Sequence, residues 1–74
     1  SDGEEARIAR DVAELLYHHF VTHPHGVPGE YRVRGEPAER VALDYISGMT
    51  DNYALRMAEE IMPGISGDIF RWRL

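Results

Sequence analysis

Residues Glu4 to His23 read EEARIARDVAELLYHHFVTH, and this stretch decides the fold class. Ile8, Val12, Leu15, Leu16, His19 and Phe20 recur at the i, i+4, i+7, i+8 spacing that lines one face of an α-helix. Glu4, Glu5 and Asp11 lie toward the start, where the helix dipole favours negative charge. Pro24 ends the run, because proline disfavours the helical conformation of the residue before it. A helix with so wide an apolar stripe needs partners, and the rest of the chain supplies them.

From His23 to Gly35 the chain is a connector, punctuated by Pro24, Gly26, Pro28, Gly29 and Gly35. Pro28-Gly29-Glu30-Tyr31-Arg32 can form a single helical turn, with Tyr31 and Val33 expected to point inward. At roughly a dozen residues it is long for a plain helix–helix joint. A second helix is expected to open at Glu36-Pro37, with Pro37 in the first helical position, where its missing N–H costs nothing. Val41, Ala42, Tyr45, Ile46 and Met49 form its apolar stripe. Thr50 or Asp51 then caps a third helix from about Asp51 to Met62, burying Ala54, Leu55, Ala58, Ile61 and Met62. Pro63-Gly64 stops it. Whether the second and third helices break or kink at Gly48-Met49-Thr50 is left open by the sequence. In the tail, Phe70, Trp72 and Leu74 alternate with Arg71 and Arg73, a strand-like period of two that also suits a contact segment. The expected architecture is therefore all-α: a bundle of about three helices over residues 6–62, with an irregular connector. Residues 1–5 form a start outside it, and 63–74 a C-terminal tail.

Composition sets limits. At 74 residues the chain is one small domain, of a size whose stability is marginal without help. There is no cysteine, so disulfides and cysteine-ligated metals are excluded. The net charge is −5, with eight Arg and no Lys, which argues against a nucleic-acid backbone as partner. No apolar run approaches the ~20 residues of a membrane span. The chain opens Ser1-Asp2-Gly3 rather than on Met, which suggests an excised piece.

Few residues suggest chemistry. His18, His19, His23 and His25 are crowded, and His19 and His23 sit at the i, i+4 spacing that can grip a divalent metal. The plainer reading is one half-buried His and three solvated ones near a helix end. Ser47 and Ser66 are each next to a glycine, yet the Gly-x-Ser-x-Gly elbow is absent. A phosphate loop with its lysine is absent too. Asp44 and Asp51 are seven apart, so an unbroken helix would place both on one face, each followed one or two residues on by a tyrosine, Tyr45 and Tyr53. The bland interpretation is an Arg40–Asp44 helix pair and an Asp51 cap. The sharper one is a polar cluster of Arg40, Asp44, Tyr45, Asp51 and Tyr53 aimed at a ligand or a neighbouring domain.

The stretch Arg40 to Glu60, RVALDYISGMTDNYALRMAEE, resembles a signature of the bacterial HD-domain deoxynucleoside triphosphate triphosphohydrolases, the dGTPase-like group. The resemblance is to their C-terminal, phosphohydrolase-associated domain. The family pattern runs through Asp44-Tyr45-Ile46-Ser47-Gly48-Met49-Thr50-Asp51 and then Tyr53-Ala54-Leu55, more often with Ala at position 47 and Arg at position 52. Upstream, Leu15-Leu16-Tyr17-His18-His19-Phe20, His23-Pro24 and Pro28-Gly29-Glu30-Tyr31-Arg32 also fit, so the likeness covers roughly residues 6 to 62. It implies a cytoplasmic, homo-oligomeric parent enzyme that removes the whole triphosphate from a dNTP. It also implies a divalent metal, Mg or Mn, held by His and Asp motifs upstream of this region. On that reading the chain itself carries no catalytic or metal-binding residue and no cofactor, and is inactive alone. Its partners are the parent HD catalytic domain and a neighbouring subunit, with neither membrane nor nucleic acid among them. Arg40, Asp44, Tyr45, Asp51 and Tyr53 become candidate contacts to nucleotide or interface. A free-standing helical interaction module, with the signature retained only for packing, is the competing expectation.

Overall fold

The apolar stripe of the first segment winds into helix α1, Asp2–Thr22. It is the spine of the molecule, and both later helices pack along it. The computed structural model describes residues 2–67. The readings made for Phe70, Trp72 and Leu74 lie outside them.

Ile8, Val12, Leu16 and Phe20 are the buried positions of α1, and Leu16 has no exposed surface. On its opposite face Arg7 bridges Glu4 at 2.6 Å and Asp11 at 3.2 Å. These pairs are exposed, so they support the helix by only a few tenths of a kcal/mol. At the C-terminal end the Thr22 hydroxyl donates to the His18 carbonyl at 2.8 Å, and the chain leaves the helix into Pro24. Two short 3₁₀ turns follow, Pro24–Gly26 and Gly29–Tyr31. Val27, between them, is sealed in the core at 1% exposure. The inward residues of the connector are therefore Val27 and, in part, Tyr31. Val33 was expected to be inward and is 54% exposed. The buried position of the connector falls at Val27, between the two 3₁₀ turns, and Val33 lies past the second.

Helix α2 spans Ala38–Ser47. Pro37 precedes it as the capping residue in extended conformation, one position earlier than expected, and its carbonyl accepts from the Arg40 and Val41 amides. Val41, Ala42 and Tyr45 are its buried residues. The helix then stops: the Gly48 and Met49 amides close a tight turn onto the Tyr45 and Ile46 carbonyls. Thr50 opens helix α3, Asp51–Ile61, with its hydroxyl accepting from the Tyr53 amide at 3.2 Å. The cap is thus Thr50. The break settles the open question of the sequence, and with it the shared face of Asp44 and Asp51 disappears.

Leu55 and Ala58 are the buried residues of α3. Met62, expected inside, is 50% exposed because the helix ends at Ile61 and the chain turns away. That turn is held by Glu59. Its carboxylate accepts from the Gly64 amide at 2.8 Å, the Ser66 amide at 3.1 Å and the Ser66 hydroxyl at 2.7 Å. Gly64 takes φ +92, a left-handed conformation that side chains rarely adopt. Ser66 is fully buried beneath this latch, and Ile65 packs against the core. Among the described residues there is no strand, and no helix is long and apolar enough to cross a membrane.

Candidate functional site

Three tyrosines converge where the connector, α2 and the α2–α3 joint meet. Tyr45 comes from the inner face of α2. Its ring meets Phe20 of α1 edge-on, with centroids 5.0 Å apart, and lies 5.1 Å from the Tyr31 ring at a tilt of 51°. The break at Gly48–Thr50 swings α3 so that Tyr53, in its first turn, brings its hydroxyl 3.0 Å from that of Tyr45. The second 3₁₀ turn carries Tyr31 over Gly48. Between them is an open pocket of about 320 Å³, lined by Pro28, Glu30, Tyr31, Tyr45, Gly48, Met49, Thr50 and Tyr53. Its floor is the buried Tyr45, and Tyr53 forms a wall that is 48% exposed.

The pocket sets three phenol side chains beside the acidic side chain of Glu30. Burial pushes the Tyr45 hydroxyl up to about 12, helped by its hydrogen bond to Tyr53 and by Tyr31 and Glu30. Tyr45 therefore stays protonated at neutral pH and is a hydrogen-bonding group, not a base. Among the described residues no Arg, Lys or His lines the pocket.

Of the five residues singled out in the sequence, the structure brings together Tyr45 and Tyr53 only. Arg40 and Asp44 are exposed on α2, and the expected Arg40–Asp44 ion pair is not formed among the described residues. Both project into solvent, where such a pair is worth too little to order two side chains. Asp51 borders a different feature, an apolar groove of about 170 Å³ between α1 and α3 that includes Ile8, Val12, Leu16 and Leu55. The sequence reading missed Glu30 and Met49 as pocket residues. Tyr31 was placed inward, yet nothing in the periodicity set it opposite Tyr45.

The other candidates for chemistry are otherwise engaged. The His19 and His23 rings stack, with centroids 4.5 Å apart. His23 Nδ1 lies 2.9 Å from the His19 carbonyl oxygen, so that nitrogen carries its proton and donates. Burial, then the neighbouring His23 and His18, lower the pKa of His19, so it is biased to the neutral form. Among the described residues no three His, Asp or Glu side chains cluster as metal ligands. Ser66, the one buried polar residue among them, gives its proton to Glu59, whose carboxyl is held below its usual range by hydrogen bonds from Gly64 and Ser66.

Fold and site together define a small all-α domain whose polar features serve caps, turns and an aromatic pocket. The chain belongs to the phosphohydrolase-associated domain family, whose family model matches residues 3–60. It is 35% identical over 54 residues to a deoxyguanosinetriphosphate triphosphohydrolase-like protein of Leptospira interrogans, covering 70% of this chain and 14% of that protein. Proteins of the same name in Azorhizobium caulinodans and Roseobacter denitrificans are 42% identical over 50 residues and 37% identical over 65. These matches cover 64% and 80% of this chain and 13% and 16% of the relatives. The matched part of the chain thus corresponds to about one seventh of each relative's length. No solved structure gives a significant match.

Proposed function

We propose that this chain is the C-terminal accessory domain of a deoxynucleoside triphosphate triphosphohydrolase. The parent reaction would convert a dNTP and water into a deoxynucleoside and tripolyphosphate. The observation that carries the reading is the family match over residues 3–60, together with relatives bearing that activity in their names. The hydrolytic step belongs to an HD core outside this sequence, where a divalent Mg or Mn ion would activate the attacking water. This domain packs on that core or on a neighbouring subunit of a cytoplasmic homo-oligomer. Exposed Leu43, Val33 and Met62, and the α1–α3 groove, support a packing role by offering apolar surface. Tyr45 is buried and hydrogen-bonded to Tyr53, which supports packing over nucleotide contact for that residue.

The test is product analysis. The native full-length protein, incubated with each dNTP and with Mg²⁺ or Mn²⁺, is expected to release tripolyphosphate and deoxynucleoside, while this chain alone releases neither. Release of pyrophosphate, or no turnover with any dNTP mixture, would sink the assignment. The interaction-module reading would then take its place.

A further inference from the structure

The pocket formed by Tyr31, Tyr45 and Tyr53 has a chemistry that the packing role does not use. Its wall and floor are aromatic, Met49 adds a polarisable side, and Glu30 is the one charged side chain among the described lining residues. Anions are poorly served there. A phosphate would meet a carboxylate and no positive side chain among the described lining residues, whereas a cation would find ring faces and a counter-charge. Tyr53 and Glu30 are both exposed, so the pocket opens to an approaching surface. The volume of about 320 Å³ takes a planar cation together with its aliphatic stem. Glu30 also contributes to the raised pKa of Tyr45, which sets its charge within electrostatic reach of the floor.

We infer that this pocket is a receptor for an arginine side chain presented by a partner protein, the guanidinium resting against Tyr31 and Tyr53 with Glu30 as counter-ion. The planar guanidinium stacks on aromatic faces and is weakly hydrated, so it gives up water at less cost than an ammonium. The contact would act as an anchor in an interface, since buried arginine and tyrosine carry much of the energy in such surfaces. It does not depend on the partner being a hydrolase core.

The experiment is a titration of the full chain with N-acetyl-arginine methylamide, followed by the ring resonances of Tyr31, Tyr45 and Tyr53. The neutral citrulline analogue and dGTP serve as comparison ligands. The arginine probe should shift these rings saturably and bind about two- to fivefold more tightly than the citrulline analogue. Glu30→Gln removes only the rim charge and should weaken arginine binding without altering the far-ultraviolet circular dichroism. Tyr53→Ala should abolish it. Equal binding of arginine and citrulline probes, no shift of the three rings, or an unchanged affinity in Glu30→Gln would each overturn the inference. So would tighter binding of dGTP on the same rings, which would give the pocket to a nucleotide.

Discussion

Glu59→Ala tests how a helix end can be fastened by one side chain. The Glu59 carboxylate accepts three hydrogen bonds, at 2.8, 3.1 and 2.7 Å, from the turn that follows α3. Two of the donors belong to Ser66, which has no exposed surface. Removing the carboxylate leaves the Ser66 amide and hydroxyl unpaired in the interior, at about 1–3 kcal/mol for a buried polar group left without a partner. The Gly64 amide is in an exposed turn, and water replaces its partner. Glu59 is itself only half-buried, so solvent screening trims the gain. The net loss is about 2 kcal/mol, and at about 4–8 °C per kcal/mol for a domain this small the melting point falls by about 8–16 °C. Glu59→Gln keeps one accepting oxygen and should lose about half as much. The pH dependence follows from the lowered carboxyl pKa. The unfolded chain binds that proton more readily, so the latch contributes fully above the ordinary carboxylate range and is lost as pH falls through the folded value. Circular dichroism melts at pH 7 and pH 3 read both effects. The wild type should exceed Glu59→Ala most at pH 7, and the gap should narrow as pH falls below the ordinary carboxylate range toward 3. An Ala variant that melts with the wild type at pH 7 would refute the latch.

Tyr45→Phe keeps the packed ring and deletes one phenol–phenol hydrogen bond, so chemical denaturation should show a loss of about 0.5–1.5 kcal/mol. An ultraviolet titration of the wild type should show one tyrosine ionising late, near 12, with its stabilising contribution intact below the unfolded tyrosine pKa and lost as pH rises through the folded one. Thr50→Ala removes the hydroxyl that accepts from the Tyr53 amide and should cost about 1 kcal/mol, read as a shift in the urea midpoint with the slope unchanged. His19 has a lowered pKa, chiefly from burial, so protonation favours the unfolded chain. Stability should therefore be full above the ordinary histidine range and decline as pH falls below it, and His19→Gln should flatten that slope in melts across that range.

Helix positions were the most legible part of this fold, because α1 and α3 each show a continuous apolar face bounded by a proline or a capping threonine. The signature Tyr45 and Tyr53 could be singled out from the residue pattern, but not their meeting. That contact depends on the break at Gly48–Thr50, and glycine before a threonine fits a kinked helix as well as two separate ones. Val27 and Val33 differ little as letters; which is buried is decided by the two 3₁₀ turns. Glu59 reads as one of a solvated pair with Glu60. Its role depends on a turn whose left-handed Gly64 only the folded chain displays. Arg40 and Asp44 show the converse case, a spacing that suits an ion pair on a helix where none forms.

The central claim is that this domain serves a hydrolytic core which it does not itself contain. The most direct measurement is tripolyphosphate release by the native full-length protein before and after deletion of the segment matching residues 3–60, with folding and assembly of the truncated protein checked by circular dichroism and light scattering. The account predicts that the intact protein is active and that the truncated core keeps its fold but loses activity, assembly or both. A truncated core with full activity and unchanged assembly would contradict it.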